Sequence, residues 1–361
     1  MTTRPGPAGA RPEDIGDGWP LAAPGEVGLD GDTLGGLEAL LAEWPDANVH
    51  AVVVARRGKL VFERYFTGKD HRWMQPPAVT RFSPTEKHDV RSISKSVTAL
   101  LVGIAVGDGS FPPLDASVLD SFPEHAELRT PEKARIDFRH LLTMSAGLAW
   151  DEGRPWTDPA NNERLLVEAA DPYRYALEQP VARPPGELFN YCGGATTLLG
   201  GALARAVGQK ADAYARDRLF APLGITDFEW LPFTSHPDPA VFGALRLRPR
   251  DLAKVGQLLA SDGLWGGARV LPSGWVAEST RPRLNTDGLL YYGYHWWLGR
   301  SLHGGRDLAW TGGLGNGGQR LYVVPGLDLV VAVNAAQYGS PLQGTIPHAI
   351  LNRIVLPAVL G

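Results

Sequence analysis

A serine and a lysine stand three residues apart at the start of the most apolar helical segment of the chain. Ser92 and Lys95 form the pattern S-x-x-K, and an apolar run over residues 97–106 follows them. Because positions i and i+3 share one face of a helix, the Lys95 amine can reach the Ser92 hydroxyl. The free N–H groups and the positive dipole end of a helix N-terminus suit a developing oxyanion. A buried lysine that has lost its proton can activate the serine, so this pattern is typical of nucleophilic catalysis.

The same pattern has a simpler interpretation as the start of a helix. An N-cap serine satisfies the first N–H groups of a helix, and a lysine one turn later extends into solvent. Both residue types are common, so the tetrapeptide alone does not separate the two interpretations.

A tyrosine and a glycine-rich segment are the other two candidates. Tyr191 lies on a Gly-containing turn ahead of a helix predicted over residues 196–207, where it can point into a cleft or pack in the core. A glycine-rich run over residues 309–319 leads into a predicted hairpin, and its glycines allow the backbone to approach a ligand closely. No Gly-Lys-Ser/Thr follows, so this run is not a phosphate-binding loop; a bulged strand without a role is the alternative.

The elements that position these residues come from both ends of the chain. Apolar and β-branched runs predict a hairpin over residues 50–66 and strands over residues 293–299, 320–324 and 327–333, whereas residues 111–242 show only short helical patterns between prolines. The simplest architecture is one sheet built from both termini, flanked by helices, with a helical domain inserted. Smaller predictions are a helix over residues 32–42 and a loop over residues 68–87. We predict a flexible tail over residues 1–20, a sheet domain over residues 21–110 and 245–361, and an inserted helical domain over residues 111–244.

Composition and charge narrow the classes of function. Of 361 residues, 44% are apolar and 20% are charged, as in ordinary globular proteins, and the formal net charge is −4. Nucleic acids and anionic membranes select basic surfaces, so neither is an expected partner. The longest apolar stretch falls far short of the roughly 20 residues that span a bilayer. The first 20 residues also lack the apolar core of a secretory signal, so we expect a cytoplasmic protein.

Neither a metal nor another cofactor is expected, because no cluster of His, Cys, Asp or Glu residues has the spacing of metal ligands. The single cysteine, Cys192, forms no internal disulfide, so the chain does not need an oxidising compartment. Cys192 is interpreted as a small packed residue rather than a nucleophile.

Together the three segments resemble the motifs of the β-lactamase-related serine hydrolases, which include class C β-lactamases, DD-peptidases, family VIII carboxylesterases and 6-aminohexanoate-dimer hydrolases. That family is marked by S-x-x-K, then Tyr-x-Asn or Tyr-x-Ser, then Lys-Thr-Gly or a variant. Ser92 and Lys95 match the first motif, Tyr191 matches the second, and residues 310–312 lie where the third belongs. The resemblance runs over residues 49–333. It implies an α+β, β-lactamase/transpeptidase-like fold, with an antiparallel sheet flanked by helices and an inserted all-helical domain.

Two positions depart from the family pattern. Gly193 replaces the Asn or Ser of the second motif, and Trp310 replaces the Lys of the third. In β-lactam- and peptide-binding relatives that Lys helps to hold a substrate carboxylate, and losing such a charge-assisted contact costs about 1.5–3 kcal/mol. The resemblance therefore favours neutral esters. In an alternative alignment, residues 315–319 occupy the place of the third motif.

The resemblance also implies roles for individual residues. Neutral Lys95, helped by Tyr191, takes the proton of Ser92, which attacks an ester or amide carbonyl. The N–H groups of Ser92 and Gly313 hold the oxyanion, and Tyr191 then protonates the leaving group. The expected substrate-binding residues are Trp310, Thr311, Gly312, Gly193 and His295.

These residues predict a carboxylesterase that acts on small neutral esters through an acyl-enzyme on Ser92. An amide hydrolase on short linear amides, like the 6-aminohexanoate-dimer hydrolases, and a weak β-lactamase would use the same chemistry. A binding or scaffold protein that kept the fold and lost catalysis is the alternative of another class. In each enzymatic case the partner is a small-molecule ester or amide, and the sequence leaves the oligomeric state open.

Overall fold

The computed structural model describes residues 9–286 and 288–360, and within them the chain forms fifteen strands and eleven α-helices. The strands are β1 (Val49–Arg56), β2 (Lys59–Tyr65), β3 (Thr67–Asp70), β4 (Ala78–Arg81), β5 (His88–Asp89), β6 (Glu229–Trp230), β7 (Leu245–Leu247), β8 (Leu264–Trp265), β9 (Ala268–Arg269), β10 (Leu284–Asn285), β11 (Tyr291–Tyr292), β12 (Trp297–His303), β13 (Arg306–Gly315), β14 (Gln319–Val324) and β15 (Leu329–Ala335). The α-helices are α1 (Gly31–Gly35), α2 (Leu37–Leu41), α3 (Ile93–Gly107), α4 (Phe138–Leu142), α5 (Asn162–Glu168), α6 (Pro172–Glu178), α7 (Gly193–Val207), α8 (Ala211–Ala215), α9 (Pro249–Ala260), α10 (Trp275–Ser279) and α11 (Leu342–Ala349).

Eight antiparallel strands form the central sheet, in the order β10-β11-β12-β13-β14-β15-β1-β2. Strand β15, near the end of the chain, pairs with β1, near its beginning, and Val53 lies opposite Ala332. Both strands are buried along their whole length, which explains why their sequences are apolar at nearly every position rather than at alternate ones. The prediction of an antiparallel sheet built from both ends of the chain is confirmed.

Side chains of the central sheet alternate between two apolar layers, which we name the front and rear faces. On β1, Val53 packs into the front layer with helices α3 and α9, whereas Val52 and Val54 pack into the rear layer. Helix α9 approaches the front face closely, since a Cβ added at Gly256 would lie 2.6 Å from Val330 Cγ1. The rear layer contains helices α1, α2 and α11 and the final helical turns of the chain. The sheet is thus covered on both faces.

Residues 111–244 contain the helices α4 to α8, of which α7 is the longest, joined by loops and short helical turns. Helix α7 packs against α3, α4 and α6, and so connects this segment to the front layer. One short strand, β6, pairs with β7, so the prediction that this segment holds only helical elements is wrong at that point. The domain boundaries at residues 110 and 245 stay predictions.

Part of the N-terminal segment packs against the rest of the protein. Residues 1–8 of the predicted flexible tail lie outside the described residues. Further along, Trp19 is buried and its Nε1 donates to the Gly58 carbonyl at 3.1 Å. Arg250 donates to the Glu13 carbonyl at 2.7 Å. The prediction of a flexible tail is therefore wrong for this packed part.

Two smaller predictions are also wrong. The helix predicted over residues 32–42 is interrupted at Gly36 and forms the two short helices α1 and α2, consistent with the low helix propensity of glycine. The loop predicted over residues 68–87 contains β3 and β4, which pair as a small separate sheet. Within residues 9–286 and 288–360, none of the helices is both long enough and apolar enough to cross a membrane.

Candidate active site

Ser92 lies immediately before helix α3, where the chain turns sharply after β5. Arg91 adopts a φ of +51°, and this turn places Ser92 at the N-cap position of the helix. Lys95 Nζ donates to Ser92 Oγ at 3.1 Å and to the Phe242 carbonyl at 3.0 Å. Lys95 is 1% exposed and the Ser92 side chain makes no capping hydrogen bond. The interpretation as a helix cap followed by a solvated lysine is therefore wrong.

Tyr191 lies on the turn before α7 and joins the same group. The Asn190 side chain fixes this turn, because its Nδ2 donates to two backbone carbonyls at 3.1 and 3.2 Å. Lys95 Nζ lies 4.6 Å from the centre of the Tyr191 ring, and the Tyr191 hydroxyl interacts with both Ser92 and Lys95. The structure thus brings together the three residues predicted to be catalytic. Their roles stay predictions.

Two carboxylates that the sequence analysis missed surround this group. Glu152 Oε1 lies 3.8 Å from Lys95 Nζ. Glu152 Oε2 accepts hydrogen bonds from the Gly193 N–H and the Trp150 indole, both at 2.7 Å. Glu163, on α5, is half-buried near Glu152 and Lys95. Both carboxylates lie far along the chain from the S-x-x-K pattern and at no diagnostic spacing, so only the folded structure reveals them.

The charges of this group favour a protonated Lys95 in the resting protein. Burial disfavours the ammonium form, but the oxygen of Tyr191 and the two nearby carboxylates outweigh this effect and raise the pKa of Lys95 above its ordinary value. Burial also raises the pKa of Tyr191, so its phenol keeps its proton. Burial, and then the charge of Glu152, raise the pKa of Glu163 to about 7. The role of Lys95 as a neutral base therefore stays a prediction, and it requires that a proton first leave the amine.

Two adjoining cavities open at Ser92, with volumes of about 520 and 800 Å³. Aromatic side chains form much of their walls: Trp73 and Trp156 line the smaller cavity, and Trp150 and Trp297 line the larger one. The residues that line both are Ser92, Trp156, Glu163 and Asn316. This space admits a small or medium-sized organic substrate.

Strand β13 passes close to Ser92 but does not present Trp310 to it. Trp310 is 5% exposed and packs in the rear layer against Tyr322 and over Gly299. Neither Thr311 nor Gly312 lines either cavity. The alternation of the strand directs Trp310 to the rear face, so residues 310–312 do not line these cavities. Their contact with substrate stays a prediction that the position of Trp310 does not support.

The glycines that follow lie closer to the nucleophile. A Cβ added at Gly313 would lie 2.8 Å from Ile93 Cγ2, so the absence of a side chain lets β13 pack against the start of α3. Gly315 and both its neighbours line the larger cavity. Pairing between β12 and β13 ends at Gly312, so this pairing does not extend over residues 313–315. The cavity wall thus fits the alternative alignment of the third motif, and Gly313 as an oxyanion donor stays a prediction.

His295 and Gly193 lie beside the group rather than in either cavity. His295 is 1% exposed, its Nε2 lies 3.1 Å from Thr196 Oγ1, and its carbonyl accepts from Ser96 Oγ at 2.6 Å. Burial lowers the pKa of His295 to about 3. Gly193 begins α7 and holds Glu152 through its N–H. Both residues are packed in the supporting structure, and their predicted contacts with substrate stay predictions.

Comparison with known proteins gives the family of the chain. A family model described as Beta-lactamase matches residues 37–352, so the chain belongs to the Beta-lactamase family. The resemblance inferred from the three sequence motifs is confirmed, and so is the β-lactamase/transpeptidase-like fold. Hydrolases with ester, amide and β-lactam substrates are among the named relatives.

Three relatives illustrate the range of names. A 6-aminohexanoate-dimer hydrolase from Paenarthrobacter ureafaciens is 24% identical over 323 residues, which cover 82% of this chain and 76% of that protein. A Bacillus anthracis protein provisionally named a 6-aminohexanoate-dimer hydrolase has a structure with a TM-score of 0.71 at 20% identity, covering 87% of this chain and 79% of that one. A family VIII carboxylesterase gives a TM-score of 0.65 at 18% identity, covering 88% and 96%. At these identities the two structures show the shared fold alone.

Proposed function

We propose that the protein is a serine hydrolase that forms an acyl-enzyme on Ser92 and acts on carboxylic esters of small or medium size. The observation that carries this proposal is the 3.1 Å hydrogen bond from Lys95 Nζ to Ser92 Oγ at an open cavity. Burying an ammonium group is costly unless its partners compensate for lost water. Placing one against a serine hydroxyl therefore favours a chemical role over a structural one.

The Ser92 proton leaves through Lys95 once the amine is neutral. Glu152, at 3.8 Å, and Glu163 beyond it are the acceptors for the proton that Lys95 gives up. The neutral amine then accepts the Ser92 proton while Ser92 Oγ bonds to the substrate carbonyl carbon. A carboxyl group with a pKa near 7, as at Glu163, exchanges protons readily at neutral pH.

Tyr191 completes the proton transfers. As the bond to the leaving alcohol breaks, the Tyr191 hydroxyl gives its proton to the alcohol oxygen and takes one from Lys95. In the second half of the reaction a water molecule replaces the alcohol and loses a proton to the same pair while its oxygen bonds to the acyl carbon. The bond from this carbon to Ser92 Oγ then breaks, the acid leaves, and Ser92 regains a proton from the pair. Because these groups titrate together, measured pKa values belong to the cluster rather than to one residue.

The oxyanion would bind to backbone N–H groups at the start of α3 and on β13. The Ser92 N–H lies at the helix N-terminus, where the dipole favours a developing negative charge. The second donor belongs to residues 313–315, which lie past the last pair of the β12–β13 ladder. Gly313 is the donor expected from the sequence motif.

The cavity walls support neutral esters as substrates. Trp73, Trp156 and Trp297 offer flat apolar surface to an acyl or alcohol group. This support does not depend on Trp310, which packs on the rear face.

Short linear amides are a second candidate, favoured by one charged residue of the larger cavity. Arg320 lines that cavity, and its Nη1 donates to the carbonyls of Gly315 (3.0 Å) and Gln319 (2.8 Å). A guanidinium held in this way keeps further N–H donors for a substrate carbonyl or carboxylate. The name of the relative that hydrolyses the 6-aminohexanoate dimer is consistent with such a substrate.

The test compares three chromogenic substrates: a short-chain p-nitrophenyl ester, a p-nitroanilide amide and nitrocefin. Each is assayed with the unaltered protein, with Ser92→Ala and with Ser110→Ala, an exposed serine past the end of α3. The ester should be hydrolysed fastest, and Ser92→Ala should lose at least ~10³-fold in kcat/KM. Ser110→Ala should behave like the unaltered protein.

Other outcomes separate the alternatives. Faster turnover of the amide than of the ester would favour the second candidate, and faster turnover of nitrocefin would indicate a β-lactamase. Equal rates for Ser92→Ala and the unaltered protein would contradict the nucleophile. Failure of an alkyl fluorophosphonate to label the protein, together with no turnover, would favour a binding or scaffold protein.

A further inference from the structure

Three metal-ligating side chains meet in an enclosed cluster near the segment that leads to Ser92. His50 comes from β1, Asp70 from β3 and His88 from β5, and one ligand atom from each lies within 4.8 Å of the others. All three are buried, and Phe82 stacks on the His50 ring at a centroid distance of 4.2 Å. None of the three lines the cavities at Ser92, so the proposed hydrolysis does not use them.

The hydrogen bonds around His50 fix its tautomer. Asn48 Nδ2 donates to the carbonyls of Lys69 (2.8 Å) and Ala336 (3.3 Å), which leaves Asn48 Oδ1 as an acceptor. This oxygen lies 3.0 Å from His50 Nε2, so Nε2 carries the ring hydrogen. In the neutral ring, His50 Nδ1 is then an unprotonated nitrogen.

The hydrogen bonds around His88 lead to the same result. His88 Nδ1 lies 2.8 Å from the Asp89 backbone carbonyl, which can only accept, so Nδ1 carries the hydrogen. The unprotonated Nε2 of the neutral ring lies 2.8 Å from His50 Nδ1. Two neutral rings would therefore direct lone pairs at each other over this distance. A cation between them removes the repulsion, and Asp70 Oδ1, 3.8 Å from His88 Nε2, supplies negative charge.

We propose that His50 Nδ1, His88 Nε2 and the Asp70 carboxylate bind a divalent transition-metal ion, with zinc as the expected occupant. Two imidazoles and a carboxylate are an ordinary zinc ligand set. The other N–H of each imidazole donates to a fixed carbonyl oxygen, which is the usual arrangement for metal-bound histidines. Zinc–nitrogen bonds of about 2.0–2.1 Å at a tetrahedral angle place two nitrogens about 3.3 Å apart, so the rings separate by about 0.5 Å on binding.

The ion holds three strands together behind the turn that carries the nucleophile. Asp89 follows His88 directly and accepts from the Trp73 N–H at 2.5 Å. Arg91, one residue before Ser92, donates to the carbonyl of His71, next to Asp70. Two of the three ligands are thus bonded neighbours of residues that fix this turn. The role of the ion is structural.

The test removes metal from the full chain with a chelator and then titrates Zn²⁺ calorimetrically. We expect one equivalent to bind and the midpoint of thermal unfolding to rise by several degrees at saturation, because a ligand that binds only the folded state stabilises it. Co²⁺ should occupy the same site and give the visible absorption of a tetrahedral ion with nitrogen and oxygen ligands. These readouts do not depend on hydrolysis.

Substitutions locate the ion. His50→Gln and Asp70→Asn should each weaken Zn²⁺ binding by at least ~100-fold, whereas His303→Gln, at the end of β12, should leave it unchanged. Binding that survives the first two substitutions would overturn the site. If those variants do not fold, the test rests on the unaltered chain. The proposal is overturned if this chain does not bind one equivalent of Zn²⁺ saturably, or if Zn²⁺ does not change its unfolding midpoint. The cation between the rings is then a shared proton.

Discussion

The front and rear faces of the central sheet are both closely packed, but they hold their buried charges differently. The rear layer is mainly aliphatic and aromatic, and backbone carbonyls hold its buried guanidinium groups: Arg56 Nε donates to the Leu327 carbonyl at 3.2 Å, and Arg320 Nη1 donates to the Gly315 carbonyl at 3.0 Å. The front layer buries Lys95 and an ion pair between Arg250 and Glu63, with Nε 2.7 Å from Oε2. An apolar core accepts many arrangements that fill its volume, whereas a buried charge needs its partners in one geometry. Substitutions on the rear face should therefore change stability, and those around Lys95 should change kinetics.

The largest expected effect is at Lys95. Lys95→Met keeps the apolar stem and removes the ammonium group. The kcat/KM for a p-nitrophenyl ester should fall at least ~10³-fold, because both proton transfers of Ser92 pass through the amine. Initial-rate kinetics measure this loss, with Lys59→Met on the exposed start of β2 as the matched control. A loss of less than tenfold would contradict the role given to Lys95.

A smaller loss is expected at the carboxylate that faces Lys95. Glu152→Gln keeps an acceptor oxygen for the Gly193 N–H but cannot take a proton from the amine. We expect kcat to fall by about 10–100-fold with little change in the unfolding midpoint. Steady-state or stopped-flow kinetics measure kcat, and Glu187→Gln, a substitution at an exposed residue, is the matched control. Unchanged kcat would mean that Lys95 loses its proton by another route.

The sequence predicted the features that depend on local spacing. The S-x-x-K pair follows from the geometry of one helical turn, and the strands follow from β-branched runs that are buried on both faces. Glu152 could not be found in this way, because packing of its loop against the start of α7 brings it to Lys95. The same limit applies to His50 and its two partners, which come from three separate strands.

Trp310 shows a second limit. Motif matching assigns it to the strand beside Ser92, but its side chain lies on the rear face of that strand. Side chains alternate along β13, and the position that lies against α3 is that of Gly313, three residues later. Residues an odd number of positions apart on a strand point to opposite faces, and the motif alone does not indicate which face a given residue takes.

The pH dependence of kcat/KM tests the role of Glu163. Its pKa is raised to about 7, so below pH 7 it is protonated and cannot accept the proton of Lys95. The kcat/KM should therefore rise with pH and level off above 7, with a value at pH 6 about tenfold below the plateau. In Glu163→Gln this ascending limb should disappear. A limb with the same midpoint in the variant would assign the titration to another group.

The smallest kinetic effect is expected on the rear face, at Trp310. Trp310→Ala removes a buried ring that packs against Tyr322, which should lower the free energy of unfolding by about 3–5 kcal/mol. Trp310→Phe is a milder version if the first variant does not fold. Urea denaturation measures the stability, and Leu302→Ala, at a position of β12 that is 77% exposed, should change it by less than ~0.5 kcal/mol. The kcat/KM of the folded variants should stay within about threefold of the unaltered protein, because Trp310 lies on the opposite face from Ser92. A tenfold loss of kcat/KM without a loss of stability would return Trp310 to the substrate site and contradict the division between the two faces.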